Sequence, residues 1–315
     1  MTIRKYRTEY ALNIYGHRNL ITQPGEFERL LESNGFDEFK DSPLHLYMIC
    51  RRPRITYDPS AFVATQESIA GAFRVQVGEN HEKCKFSLEN PYQNSSPSVE
   101  CPYPHAFATF RWESLANRGM SIHVTRLALA FQEMSEHLTL EVLYIGQSYG
   151  KGGSRSAADR LRNHETLQKI YGQSDSLHPD KEIWLLLWNL KSQWIATIDG
   201  RPQQLLASES ENENHSNTFL RQTITDELEI NLAEAALIRY FQPEFNAKFK
   251  ETFPSRGHEA YSECYDWEIN MVVVEVDTED LGVMLRSTKV APSSHHTARF
   301  AFHSEEERKA MFDFN

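Results

Sequence analysis

An α+β fold is what this 315-residue sequence predicts, on three observations. Branched apolar runs and helical patterns follow one another as strand, strand, helix, strand, helix and then further strands, which is not the strict alternation of a parallel α/β sheet. At 40% hydrophobic, the chain can bury a substantial core and divide into two domains. No apolar run approaches the ~20 residues of a bilayer span. The opening "MTIRKYRTEY" also lacks the apolar centre of a signal peptide. The expectation is therefore a soluble, cytoplasmic protein with no membrane partner.

The elements follow in chain order. "PGEFERLLESNGF" reads as a short amphipathic helix ending near Gly35. Residues 89–104, rich in Pro, Ser and Asn, read as a loop or linker. "SIHVTRLALAF" (121–131) and "LEVLYIGQS" (140–148) read as two strands at hairpin spacing. "SAADRLRNHETLQKIYG" has helical spacing, with Ser156 placed to cap it and Gly172 to end it. "EIWLLLWNL" is a buried strand, and "SESENENHSNT" (208–218) reads as a mobile or disordered surface insertion without chemistry. "NLAEAALIRYFQP" is a helix stopped by Pro243, and "INMVVVEVDT" and "TARFAFH" extend the C-terminus with strands. No internal repeat is present. The expected division is a mixed α/β recognition or regulatory domain over 1–118 and a second domain over 119–315, with its core at 120–250.

Charge narrows the function. A net charge of −11 excludes a protein that coats nucleic acid through its whole surface. Residues 1–120 carry 14 basic and 14 acidic side chains, so the acidic excess lies beyond them. Within that acidic part, Tyr144 to Gly172 holds Lys151, Arg155, Arg160, Arg162 and Lys169 against Asp159 and Glu165, a local balance of +3. The cysteines, Cys50, Cys84, Cys101 and Cys264, form no CxxC pair and suit a reducing compartment. "HEKC" and "CPYPH" give His81, Cys84, Cys101 and His105 a spacing that a structural zinc ion can use, or that ordinary thiols and histidines share. "CRRPR" (50–54) is either a phosphate-backbone contact or a solvated basic surface. "GQSYGKGG" is not a nucleotide-binding P-loop, because it is one residue short and no Ser or Thr follows Lys151.

The chemistry gathers at two helices. From Leu232 to Phe241 one helix is apolar on nearly every side, yet it holds Glu234, and Asn231, Ile230, Leu237 and Ile238 around it cannot neutralise a carboxylate. A buried charge costs several kcal/mol unless it is compensated, so either a tertiary Arg or a divalent metal is required. On the other helix, Arg160 and His164 share a face four residues apart, beside the loop amides of Gly146 to Gly153, where an anion is welcome. Amides, guanidinium, imidazole and metal-binding carboxylate together describe a phosphate-handling site.

These residues resemble the GIY-YIG nuclease superfamily: "YIGQS" at Tyr144–Ser148, Arg160 with His164, Glu234, and Asn246 in "AEAALIRYFQPEFN". The resemblance covers 120–250. It implies a small antiparallel sheet flanked by helices and a metal-dependent endonuclease (one Mg2+ or Mn2+ per site) that hydrolyses nucleic-acid phosphodiesters, with DNA as the expected partner. In that scheme Glu234 holds the metal, Arg160 neutralises the scissile phosphate, and Tyr144 positions the attacking water. His164 assists the proton transfer and Asn246 braces the site, while Lys151, Arg155 and Arg162 hold the substrate backbone. The Gly-Ile-Tyr half of the family signature is missing from the preceding strand, where "SIHVT" puts His123 in the tyrosine's place. His123 either takes over as base or is a core histidine. The alternative function is a catalytically weak or inactive protein that binds nucleic acid or a partner on the same framework. By analogy the family suggests restriction or anti-phage defence, with a homo-oligomer or a regulatory protein as possible further partners.

Overall fold

Long apolar runs become strands because branched and aromatic side chains pack well on a pleated surface, and here seven of them form one sheet. The computed structural model describes residues 3–33, 35, 37–92, 95–113, 119–149, 160–161, 165–200 and 205–313. In chain order these form β1 (Thr8–Thr22), α1 (Pro24–Glu32), β2 (Leu46–Pro53), β3 (Ile55–Tyr57), β4 (Val63–Ala64), β5 (Ser68–Val77), β6 (Asn80–Glu89), β7 (Ser98–Glu100), β8 (Phe107–Arg111) and β9 (Gly119–His123). There follow α2 (Val124–Ala128), β10 (Leu140–Gln147), α3 (Glu165–Leu177), β11 (Lys181–Ile198), α4 (Glu209–Arg221), α5 (Asp226–Phe241), α6 (Glu263–Asp266), β12 (Met271–Asp277), β13 (Leu285–Arg286) and β14 (His295–Ala301). The α+β class holds. No helix among the described residues is long and apolar enough to cross a membrane.

The central sheet runs β13-β10-β2-β11-β1-β12-β14. Its two ends return to each other: Leu285 of β13 bridges Ser293, just before β14, and the buried His296 ring meets the carbonyls of both at 3.0 Å. The sheet therefore curls, and α5 lies within the curl against β10, β11, β12 and β14. That placement explains a helix apolar on nearly every side, since Leu232, Ala233, Ala235, Ala236, Leu237 and Phe241 are fully buried. The other face of the sheet packs Tyr47, Ile49, Leu143, Leu185 and Leu187 against Phe27 of α1 and Leu167 and Ile170 of α3. At Gly16 a Cβ would sit 2.9 Å from the Trp188 ring, and the β1–β11 register shifts there by a bulge.

Four expectations are corrected. First, the boundary at 118/119 does not divide the fold: β1 and β2 belong to the central sheet. What is set apart is an insertion from β3 to β9, which forms a four-stranded and a three-stranded sheet between β2 and β10. Second, residues 121–131 do not pair with β10. β9 ends at His123 and α2 begins, because Val124, Leu127 and Ala128 lie at helical spacing and are buried together. Third, residues 208–218 are not a disordered insertion but the start of α4. Ser208 and Glu211 form a complete capping box, and Asn212, His215 and Phe219 supply the buried stripe. Fourth, α3 continues past Gly172 to Leu177.

Candidate active site

Strand β10 delivers "YIGQ" to the sheet, and its neighbour is β2, in a register that sets Met48 opposite Ile145, Tyr47 opposite Gly146 and Leu46 opposite Gln147. Tyr47 is fully buried, and its ring centroid lies 6.2 Å from that of Tyr144. Both rings close over Gly146. A Cβ there would fall 2.6 Å from the Tyr47 Oη and 2.7 Å from Tyr144 Cε1, so only glycine lets the two phenols approach. The Tyr47 hydroxyl has the Arg160 guanidinium and the Tyr144 phenol as its electrostatic neighbours. The tyrosine that stands beside Tyr144 is Tyr47, supplied by "HLYMI" on the far side of the insertion.

His123 does not take that place. It ends β9 in the three-stranded sheet, pairs with Phe107, and caps α2 by accepting from the Thr125 N–H at 3.3 Å. Burial lowers its pKa, and the charges it feels are Glu26, Glu182 and Arg52, none of which belongs to the phenol pair.

Glu234 reaches this end of the sheet from α5. Burial pushes its carboxyl up to about 7, against the pull of Arg160, a hydrogen bond from the Gln147 N–H, and Lys248. Tyr144 is raised too, first by burial and then by the Glu234 charge, while Arg160 and Tyr47 work the other way. Burial and the neighbouring Tyr144 likewise raise Tyr47, against Arg160. Two phenols, one guanidinium and one carboxylate therefore share a single electrostatic neighbourhood. Lys248, exposed, was not foreseen there, and neither was Tyr47.

Asn246 acts on the strand itself. Its side-chain amide accepts from the Ile145 N–H at 2.9 Å and donates to the Ile145 carbonyl at 2.8 Å, completing the open edge of β10 as a neighbouring strand would. Phe245 N–H adds a bond to the Leu143 carbonyl at 3.0 Å, and Gln147 Nε2 donates to Asn231 of α5 at 3.3 Å. Tyr144 and Gln147 are held from both sides as a result. Arg160 is exposed on a helical turn whose next residue, Leu161, is buried. His164, Lys151, Arg155 and Arg162 lie outside the described residues.

Two other expected sites are not assembled. Among the described residues no group of three or more His, Cys, Asp or Glu side chains gathers to hold a metal. Cys101 and His105 are neighbours at 3.9 Å, but His81 and Cys84 stand three apart on β6 and so point to opposite faces, which leaves the zinc set incomplete. In "CRRPR" two of the three arginines serve the fold, while Arg54 is exposed. Arg51 pairs with Glu141 at 2.9 Å, and the fully buried Arg52 pairs with Glu182 at 2.8 Å, donates to Thr125 Oγ1 at 2.6 Å and stacks 4.2 Å from the Trp184 ring.

Glu234 fits a hard divalent cation. It offers a carboxylate oxygen that burial leaves under-compensated, which suits Mg2+ or Mn2+ better than a softer metal. No protein-family model matches the chain, and neither a curated protein nor a solved structure matches it.

Proposed function

We propose that this chain is an endonuclease of the GIY-YIG type, hydrolysing nucleic-acid phosphodiesters, DNA foremost, with Mg2+ or Mn2+. The observation that carries the reading is the convergence of Tyr47, Tyr144, Arg160 and Glu234 at one end of β2 and β10. Glu234 would hold the metal, which when bound supplies Lewis-acid polarisation of a phosphoryl oxygen and charge for the leaving oxygen. Arg160 meets the negative charge that builds on the phosphoryl oxygens. The paired phenols orient the attacking water. Arg160 partly offsets the burial that keeps the Tyr47 phenol protonated, and the paired hydroxyls would hydrogen-bond the attacking water and aim it, its proton passing to solvent as its oxygen bonds to phosphorus and the leaving oxygen departs. Asn246 serves as a positioning residue, through Ile145.

The competing reading, a binding protein without catalysis, draws on the acidic net charge and on a missing tyrosine. Tyr47 beside Gly146 takes away the second support. The test is nicking of supercoiled plasmid by the purified chain with Mg2+, with Mn2+ and with chelator. Metal-dependent nicking that Glu234→Gln abolishes is expected, and its absence from the parent protein refutes the reading.

A further inference from the structure

A second feature connects to Glu234. Between the end of α5 and the outer edge of β14 lies an open groove of about 660 Å³, lined by Arg239, Tyr240, Gln242, Thr297, Arg299 and Phe300. It exists because β14 is the last strand of the sheet, with no partner strand on its outer side among the described residues. At the other end of the sheet, the stretch of β10 that β13 does not reach is completed by Phe245 and Asn246. At the end of α5, Gln242 turns left-handed (φ 49°), and the chain folds back so that the Lys250 carbonyl accepts from Arg239 Nη1 and from Gln242 Nε2.

Cations line the way from Glu234 to this groove. Lys248 acts on the Glu234 carboxylate, Arg239 donates to the Lys250 carbonyl and to Glu251, which also faces Lys289, and the Lys250 ammonium lies beside the groove, 3.5 Å from the Glu244 carbonyl. With Arg299 this strip holds five basic residues against Glu244, Glu251 and Glu275, the last, on β12, standing opposite Thr297, in a chain whose net charge is −11. The pair between Arg239 and Glu251 does not block it: the Glu251 side chain is 74% exposed, where solvent screens an ion pair, so a phosphate can replace the carboxylate. Two half-buried rings stand between the charges. Tyr240 is fixed through its hydroxyl on His296 at 3.2 Å, and Phe300 lies on the facing wall. Arginines beside aromatic faces form the chemistry that tracks a sugar–phosphate backbone and stacks its unpaired bases. From Glu234 to Arg239 the helix rises by roughly 7.5 Å, a distance on the order of one or two nucleotides.

We propose that this groove binds the nucleic-acid strand flanking the scissile phosphate, with Arg239, Arg299 and Lys250 on its phosphates and Tyr240 and Phe300 against an unpaired base. The proposal rests on reading the Glu234 site as one that cuts phosphodiesters.

Its test is direct binding of a fluorescent single-stranded DNA oligonucleotide to the full chain, followed by anisotropy in chelator over a series of salt concentrations. Each phosphate contact contributes roughly 0.7 to the slope of log affinity against log salt. The double variant Arg299→Ala, Lys250→Ala should therefore lower the slope by about 1.4 and weaken binding about tenfold. Thr297→Arg, which adds a cation to the groove wall, should tighten binding severalfold and steepen the slope, a gain that misfolding cannot imitate. An unchanged slope in the double variant, no gain from Thr297→Arg, or no salt-dependent binding by the parent overturns the proposal. The measurement needs no cleavage, so a failure of plasmid nicking refutes the catalytic reading separately, and nicking with unaltered slopes refutes the groove alone.

Discussion

Glu234→Gln should make the protein more stable at pH 8 while removing its metal-dependent cleavage. Burial raises the Glu234 pKa from its ordinary value of 4.5 to about 7. Between those two values the native chain keeps a proton that the unfolded chain has released, so stability falls as pH rises through the window, by up to about 1.4 kcal/mol per unit. Above pH 7 the accumulated penalty is about 3 kcal/mol, and below pH 4.5 it is absent because both states are protonated. Glutamine keeps the volume, can still accept from the Gln147 N–H, and carries no charge to desolvate. Urea denaturation in chelator should therefore find the variant more stable by about 2–3 kcal/mol at pH 8, with the difference closing toward pH 4.5. Millimolar Mg2+ should then stabilise the parent and leave the variant unmoved. A variant no more stable than the parent at pH 8 refutes the account of Glu234 as an under-compensated buried carboxylate.

Five further variants probe the site and the strand that carries it. Gly146→Ala forces its Cβ into the two phenol rings and should cost about 1–3 kcal/mol in urea denaturation, with single-turnover cleavage down on the order of a hundredfold; parental values for both would mean that the rings do not close over Gly146. Tyr47→Phe keeps the packing and should slow cleavage by about 100-fold or more with DNA binding retained, whereas His123→Asn, which preserves the α2 cap, should cleave like the parent; the reverse pattern would restore His123 to the site. Arg160→Lys keeps the charge but loses the planar fork, so cleavage should fall much more than binding, and equal losses would make Arg160 a mere backbone contact. Arg52→Met leaves Glu182 with Gln23 and Trp184 as its remaining donors and should destabilise the fold by about 2–3 kcal/mol, which an unshifted urea midpoint would contradict.

Strands β10, β11, β12 and β14 and helix α5 are legible in the sequence because each is a long apolar run whose burial decides its conformation. Glu234 is legible for the same reason, as a charge within the most apolar part of the helix, although Glu229 earlier on the same helix is buried too and was not foreseen. Tyr47 is not. Which strand pairs with β10 depends on tertiary register, and the β3–β9 insertion lies between Tyr47 and Tyr144, so a search near β10 meets "SIHVT" first. Residues 208–218 mislead differently: polar composition hides a helix that needs only three buried side chains and a capping box. In 121–131 the β-branched Val124 and Thr125 suggest a strand, but the packing of Val124, Leu127 and Ala128 follows helical spacing.

The basic run "CRRPR" shows how a charge pattern that resembles a ligand surface can serve geometry instead. In the β2–β10 register Arg51 stands directly opposite Glu141, and in the β2–β11 register Arg52 stands directly opposite Glu182. Each facing pair is also an ion pair, at 2.9 and 2.8 Å. A slip of β2 by one residue against both neighbours would part both pairs and leave the fully buried Arg52 guanidinium without its carboxylate, a loss of several kcal/mol. The same slip would turn Tyr47 to the opposite face of the sheet, away from Gly146 and Tyr144. The two arginines, on alternate faces of β2 and matched to acids on its two neighbours, therefore fix the register that brings the paired phenols together across the insertion.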